Sequence, residues 1–253
     1  MCIICILSCN SSDQQSGLNT QLSLSKKVKT HRIIAATRPT SALLKGLLQQ
    51  VRQGERFDFR VSYHIDQALE AFQDQVILAA LSTDYSMPDQ GQEIAQSELI
   101  WASSKKVVKL SEQEWSKFLG GQDIQWPDGT PFSLCFRQTP DPLEEIWLQH
   151  RPHDRDLIEK ARKSGRWPIF ETEQSLIDYL TSHKGALGLF VEANLKVKAV
   201  PLSKVYINEQ APVLVKAYLY LRQQRDLPSK LRDLRDLVIS PDRLNVVQEW
   251  GWN

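Results

Sequence analysis

The sequence predicts an α/β fold, and three observations carry that expectation. From about Arg32 onward, short apolar β-type runs alternate with amphipathic helical stretches. The first five elements follow the order β-α-β-α-β, which a parallel sheet covered by helices requires. The later helical stretches begin at capping or turn-starting residues: Ser111, Thr172, Pro212 and Pro241.

In order, Arg32–Thr37 reads as a strand. Ser41–Val51 reads as a helix, because Leu43, Leu44, Leu47, Leu48 and Val51 fall on one face. Phe59–His64 is expected as a strand, Gln67–Phe72 as a short helix and Val76–Leu81 as a buried strand. Met87–Gln96 is polar, with Pro88 and Gly91 as turn signals, and Glu98–Ser103 is a further strand. Ser111 with Glu114 forms a capping box that starts a helix whose apolar side carries Trp115, Phe118 and Leu119. Gly120-Gly121 ends this helix, and Trp126–Gly129 turns the chain into a strand over Pro131–Arg137.

Helices are expected over Pro142–His150 and Leu157–Lys163, and another follows the cap Thr172 with Leu176, Ile177 and Leu180 apolar. Ala186–Glu192 and Leu195–Val200 read as strands. The C-terminal part reads as helices near Pro212–Gln224, Ser229–Val238 and Pro241–Glu249. Trp115, Phe118 and Trp126 are expected as core aromatics, and Cys135 as a buried, unpaired thiol.

Composition excludes several functions. Of 253 residues 31 are basic and 30 acidic, a formal charge of +1, so nucleic acid and membrane surfaces have no electrostatic footprint. No apolar run reaches the roughly 18 residues of a membrane span. Gly-x-Ser-x-Gly, His-Glu-x-x-His and the Walker and Rossmann glycine patterns are missing, so no catalytic residue and no cofactor is nominated. His150-Arg151-Pro152-His153 with Asp154 offers metal-ligand types, but Pro152 breaks the helix that would align two imidazoles. These read as solvent-facing loop residues, and no metal site is expected.

Leu110-Ser111-Glu112-Gln113-Glu114-Trp115-Ser116-Lys117-Phe118-Leu119-Gly120, then Trp126-Pro127-Asp128-Gly129, a strand ending at Arg137, and Gly185-Ala186-Leu187-Gly188-Leu189 recur in a recognisable order. They resemble the second lobe of type 2 periplasmic binding proteins, especially the phosphate-binding branch serving ABC importers. The resemblance implies two lobes, each a three-layer α/β sandwich, joined by a hinge. By analogy lobe 1 comprises residues 30–104 with 193–253 and lobe 2 residues 105–192, with crossings near Ser103–Val108 and Glu192–Lys196. It implies a non-enzymatic, bacterial periplasmic or envelope protein that captures a small, phosphate-like oxyanion in the interlobe cleft and partners an ABC permease.

Within that resemblance, ligand contacts fall on three loops. Thr37-Arg38-Pro39-Thr40-Ser41 supplies hydroxyls and a charge at a helix start, where free N–H groups favour an anion. Thr40 or Ser41 also suits a simple helix cap. Ser82-Thr83-Asp84 either lines the cleft, with Asp84 accepting from a protonated oxyanion, or forms an exposed turn. In the third loop Arg137 is retained, followed by Gln138-Thr139-Pro140-Asp141-Pro142 instead of the family's Ser-Gly-Thr cradle. Prolines remove backbone donors, and Asp141, Glu144 and Glu145 repel phosphate by roughly 1–4 kcal/mol for a contact near 4 Å. The alternative is therefore a degenerate binding-protein fold serving as an envelope interaction or sensory module.

Residues 1–9 end in Ile6-Leu7-Ser8-Cys9, which resembles a lipobox and makes Cys9 the lipidation site of a short signal peptide; residues 10–29 are a polar tether. Cys2, Cys5 and Cys9 read alternatively as metal ligands, but a fourth ligand is missing.

Overall fold

The computed structural model describes residues 33–51, 58–62, 77–83, 91–105, 108–122, 125–126, 128–207, 211–221 and 228–253. The expected lipidation site Cys9, the tether, the Gln67–Phe72 helix and Asp84 lie outside them.

Strand β1 (Ile33–Thr37) runs parallel to β2 (Asp58–Ser62) and β3 (Ile77–Ser82). The chain then enters β4 (Gly91–Ser103), a strand of 13 residues shared by two halves of one sheet. In the first half, β11 (Val213–Leu221) runs antiparallel between β3 and β4, giving the order β2-β1-β3-β11-β4.

In the second half, β9 (Ala186–Val191) pairs antiparallel with Leu99–Ser103 of β4. The other edge of β4 meets β10 (Ser203–Ile207), which runs parallel to β5 (Val108–Leu110). Beyond β9 lies β6 (Ser133–Leu134), while β7 (Phe136–Arg137) and β8 (Ile169–Phe170) pair parallel as a separate two-stranded sheet. Each half thus inserts one antiparallel strand beside its third strand, β11 in one and β4 in the other. Leu99 to Ser103 is buried without a break, because both faces are covered: Leu99 and Trp101 join the core cluster of Trp115 and Trp147, and Ile100 and Ala102 that of Leu176 and Ile177.

Eight helices cover the sheet among the described residues. Helix α1 (Ser41–Gln50) buries Leu43, Leu44 and Leu47 completely, the face its apolar spacing marks. Helix α2 (Glu112–Leu119) starts at the expected capping box: Ser111 Oγ accepts from Glu114 N at 3.2 Å and Glu114 Oε2 from Ser111 N at 2.7 Å. Helices α3 (Pro142–His150) and α4 (Arg155–Lys163) follow, then α5 (Glu173–Ser182) behind its cap Thr172. Helix α6 (Glu192–Val197) leads back toward β10, and α7 (Ser229–Ile239) and α8 (Arg243–Glu249) finish the chain. None of the described helices is long and apolar enough to cross a membrane.

Five expectations are corrected. Residues 213–221 form a strand, not a helix: Val213, Val215, Ala217 and Leu219 are buried alternately, a period of two that fits β11 between two partners. Leu195–Val200 is not a strand. Its three-step alternation yields to α6, where Lys196 pairs with Glu192 one turn back, and Ala199 then turns at φ 48°. Gly91–Gln96 extends β4 instead of turning, because β11 supplies its ladder. The strand expected over Pro131–Arg137 divides at Cys135, since Ser133 and Leu134 register with β9 whereas Phe136 and Arg137 register with β8.

Finally, Arg151 and Asp154 are buried rather than solvent-facing, while His150 and His153 are exposed. Asp154 Oδ2 accepts from the indoles of Trp115 and Trp147, both at 3.0 Å, and from Arg151 Nε at 2.7 Å. Glu112, His153 and Asp154 lie close enough to be ligands of a metal, yet the Arg151 guanidinium already donates to both carboxylates. This corner is a structural keystone for the Trp101, Trp115 and Trp147 cluster. Trp115, Phe118 and Trp126 are core residues, and Cys135 is buried and unpaired.

Candidate functional site

The loop after β1 packs onto the end of β3. Thr37 and Thr40 are buried; the Thr40 hydroxyl reaches the Leu81 carbonyl at 2.7 Å and lies 3.0 Å from the Thr37 hydroxyl. These two threonines therefore use their oxygens to fasten the loop. Ser41 donates to the Arg38 carbonyl at 3.0 Å, and the Arg38 guanidinium donates to the Glu171 carbonyl just ahead of α5. Ser82 ends β3, and Thr83 beside it is half-buried.

Arg137 ends β7 and is buried. Its Nε donates to Asp141 Oδ2 at 3.0 Å and its Nη2 to Asp141 Oδ1 at 3.1 Å, a two-pronged pair. Asp141 also caps α3 by accepting from Leu143 N at 3.1 Å. Arg162 holds Glu144 in the same two-pronged way and donates to the Arg137 carbonyl at 2.9 Å. Burial, opposed by Arg162, raises the Glu144 carboxyl above its ordinary range. Thr139 is exposed on this loop. The void beside Arg137, Asp141 and Glu144 holds only about 10 Å³, room for about one water.

The first and third loops are joined by residues the sequence did not nominate. Asn194 in α6 donates through Nδ2 to the Pro39 carbonyl and to Glu173 Oε2, each at 3.3 Å. Glu173 opens α5; its carboxylate lies 3.9 Å from Arg137 Nη1 and 2.8 Å from Lys198 Nζ. A line of polar contacts thus runs from Pro39 through Asn194 and Glu173 to Arg137. Asn194 and Lys198 carry no local signal, because they meet Glu173 only across the fold.

Beside this line opens a cavity of about 410 Å³ lined by Arg38, Ser41, Lys45, Thr172, Glu173, Asn194, Lys198 and Trp250. Of the expected residues, Arg38 and Ser41 line it, whereas Thr37, Thr40, Thr83, Arg137 and Thr139 do not. A glycine fixes one wall. A Cβ on Gly46 would lie 2.0 Å from Trp250 Nε1 and 2.1 Å from its Cε2, so the indole rests where α1 has no side chain.

No protein-family model matches the chain, and no curated protein sequence matches it. Solved structures do. The periplasmic molybdate-binding protein of Azotobacter vinelandii superposes with a TM-score of 0.60 at 15 % identity, covering 88 % of this chain and 99 % of that one. An ABC-type phosphate transport receptor from Vibrio cholerae gives 0.58 at 10 % identity, over 87 % of this chain and 98 % of that one. The bromide-bound regulatory domain of HypT from Salmonella typhimurium gives 0.58 at 14 % identity, over 82 % and 95 %. The chain has the two-lobed α/β fold of type 2 periplasmic binding proteins.

Proposed function

We propose that this chain is a non-enzymatic solute-binding module that captures a small anion between its two lobes. The observation that carries this reading is the 410 Å³ cavity at the start of α1 and α5, where three cations, Arg38, Lys45 and Lys198, face one carboxylate, Glu173. Excess positive charge in a recess attracts and holds an anion. The lobes meet where β4 passes from β11 to β9 and β10, and hinge closure there encloses the solute. Receptors of the same fold for phosphate and molybdate support an envelope location and an ABC permease as partner. Anchoring through a lipid on Cys9 belongs to the same reading, and diacylated Cys9 in membrane-extracted protein is its test.

A second reading has its own observation. Asp141 fills the fork of Arg137, which favours a module that senses or docks without tight capture of phosphate. Thermal melts of the full chain against millimolar anions, inorganic and organic, separate the two. A rise in melting temperature with at least one anion, reversed at high salt, supports capture. No rise with any of them ends the capture reading in favour of the second.

A further inference from the structure

The void beside Arg137 and the cavity beside Arg38 differ so much in size that they cannot serve the same ligand. Beside Arg137 there is room for about 10 Å³, one water, and the guanidinium is already gripped by Asp141. An inorganic oxyanion has no place there. The second space, about 410 Å³, falls within the roughly 300–1,000 Å³ of clefts that hold organic ligands. A bare phosphate or molybdate would leave most of it to water.

Its walls are also of two kinds. Arg38, Lys45 and Lys198 bring positive charge, and Ser41 and Thr172 bring hydroxyls. Lys45 is exposed, with its ammonium 5.2 Å from the Phe59 ring centre. Lys198 shares its charge with Glu173 at 2.8 Å. Asn194 adds an amide, and Ala42 with the half-buried indole of Trp250, seated against Gly46, adds apolar surface. Charge beside an indole face suits a molecule with an acidic head and a flat apolar body.

We infer that this cavity is the binding site for an organic acid, its acidic group held by Lys45, Lys198 and Arg38 and its flat apolar body laid against Trp250. The inference rests on the anion-capture reading and names the ligand class. It makes Lys45 and Trp250 the residues that set specificity. Glu173, the carboxylate among the described lining residues, excludes ligands with more negative charge than the cations can balance.

The test is titration calorimetry on the full chain with benzoate and phenyl phosphate, paired with acetate and inorganic phosphate, which present similar acidic groups without the ring. Ring-bearing probes are expected to bind at least about tenfold more tightly than their partners, the return on burying one apolar ring face. Lys45→Gln is expected to weaken the ring-bearing probes about tenfold, the size of one charge-assisted hydrogen bond. Trp250→Leu is expected to abolish the preference for the ring. Lys163→Gln, at a lysine 79 % exposed on α4, should change nothing.

Equal affinity of inorganic phosphate and phenyl phosphate overturns the inference and leaves anion capture standing. Ring-selective binding that ignores Lys45→Gln places the site elsewhere and also overturns it. Binding by none of the four probes, with no melting shift from any other anion, removes the inference and the capture reading together. If Trp250→Leu fails to fold, Lys45→Gln, an exposed change, still decides the location.

Discussion

Arg137 and Asp141 face each other as two planar forks, bonded at 3.0 and 3.1 Å, and both are 7 % exposed. The same carboxylate caps α3, so one side chain neutralises the buried cation and starts the helix that follows it. The chain has in effect installed its own anion on the arginine. Pro140 and Pro142 leave this pair untouched, because it is made by side chains and by the Leu143 amide.

Asp141→Ala therefore leaves a buried guanidinium whose remaining ion-pair partner among the described residues is Glu173 at 3.9 Å. The expected loss is about 3–5 kcal/mol, the usual result of breaking a buried pair from one side. Formate restores the missing carboxylate in free form and should recover part of that loss, because it binds only the folded state. Urea denaturation with formate, against chloride at equal ionic strength, is the check. Identical midpoints in the two salts would falsify the surrogate role of Asp141.

Asp154 is expected to be the most sensitive polar position described. Its removal strands the indole N–H groups of Trp115 and Trp147 and takes one of two carboxylates from the guanidinium of Arg151, which is 1 % exposed and keeps Glu112. Asp154→Ala should cost about 3–5 kcal/mol or abolish folding, with Asp154→Asn milder, since an amide oxygen still accepts. Near-ultraviolet circular dichroism should change with it, through the tryptophan cluster. A loss below about 1 kcal/mol would contradict the keystone role.

Burial pushes the Cys135 thiol up from an ordinary 9.0 to about 12. A raised folded value means that this group's contribution to stability is complete below pH 9 and is lost as pH rises toward 12. Wild-type midpoints in urea should fall over that alkaline range more steeply than those of Cys135→Ala. Parallel curves would show that the thiol is not shielded as the structure places it.

The parts legible in the sequence are those decided within one or two turns. Ser111 meets Glu114 three residues on, Thr172 caps α5 locally, and Leu43, Leu44 and Leu47 share a face by spacing alone. Misreadings arose where a distant partner decides the outcome. Residues 213–221 are strand because β3 and β4 offer open edges, and 195–197 are helix because Leu195 is drawn into a core cluster with Phe190. Arg137 was visible as a candidate, and the acids after it were visible as repulsive. Their direct pairing was not, because the sequence leaves open where each side chain points.

The sequence by itself determined the element types over most of the chain, the caps that start α2 and α5, and the near-even balance of 31 basic and 30 acidic residues. The tertiary structure alone decided that Asp141 occupies Arg137, that Glu173 meets Lys198 and Asn194, and that Trp250 lies on Gly46 across a gap of 204 positions in the chain. Caps and amphipathic faces are set by neighbours along the backbone. A cleft is set by which surfaces remain unfilled after the core has packed, and that depends on every strand and helix at once.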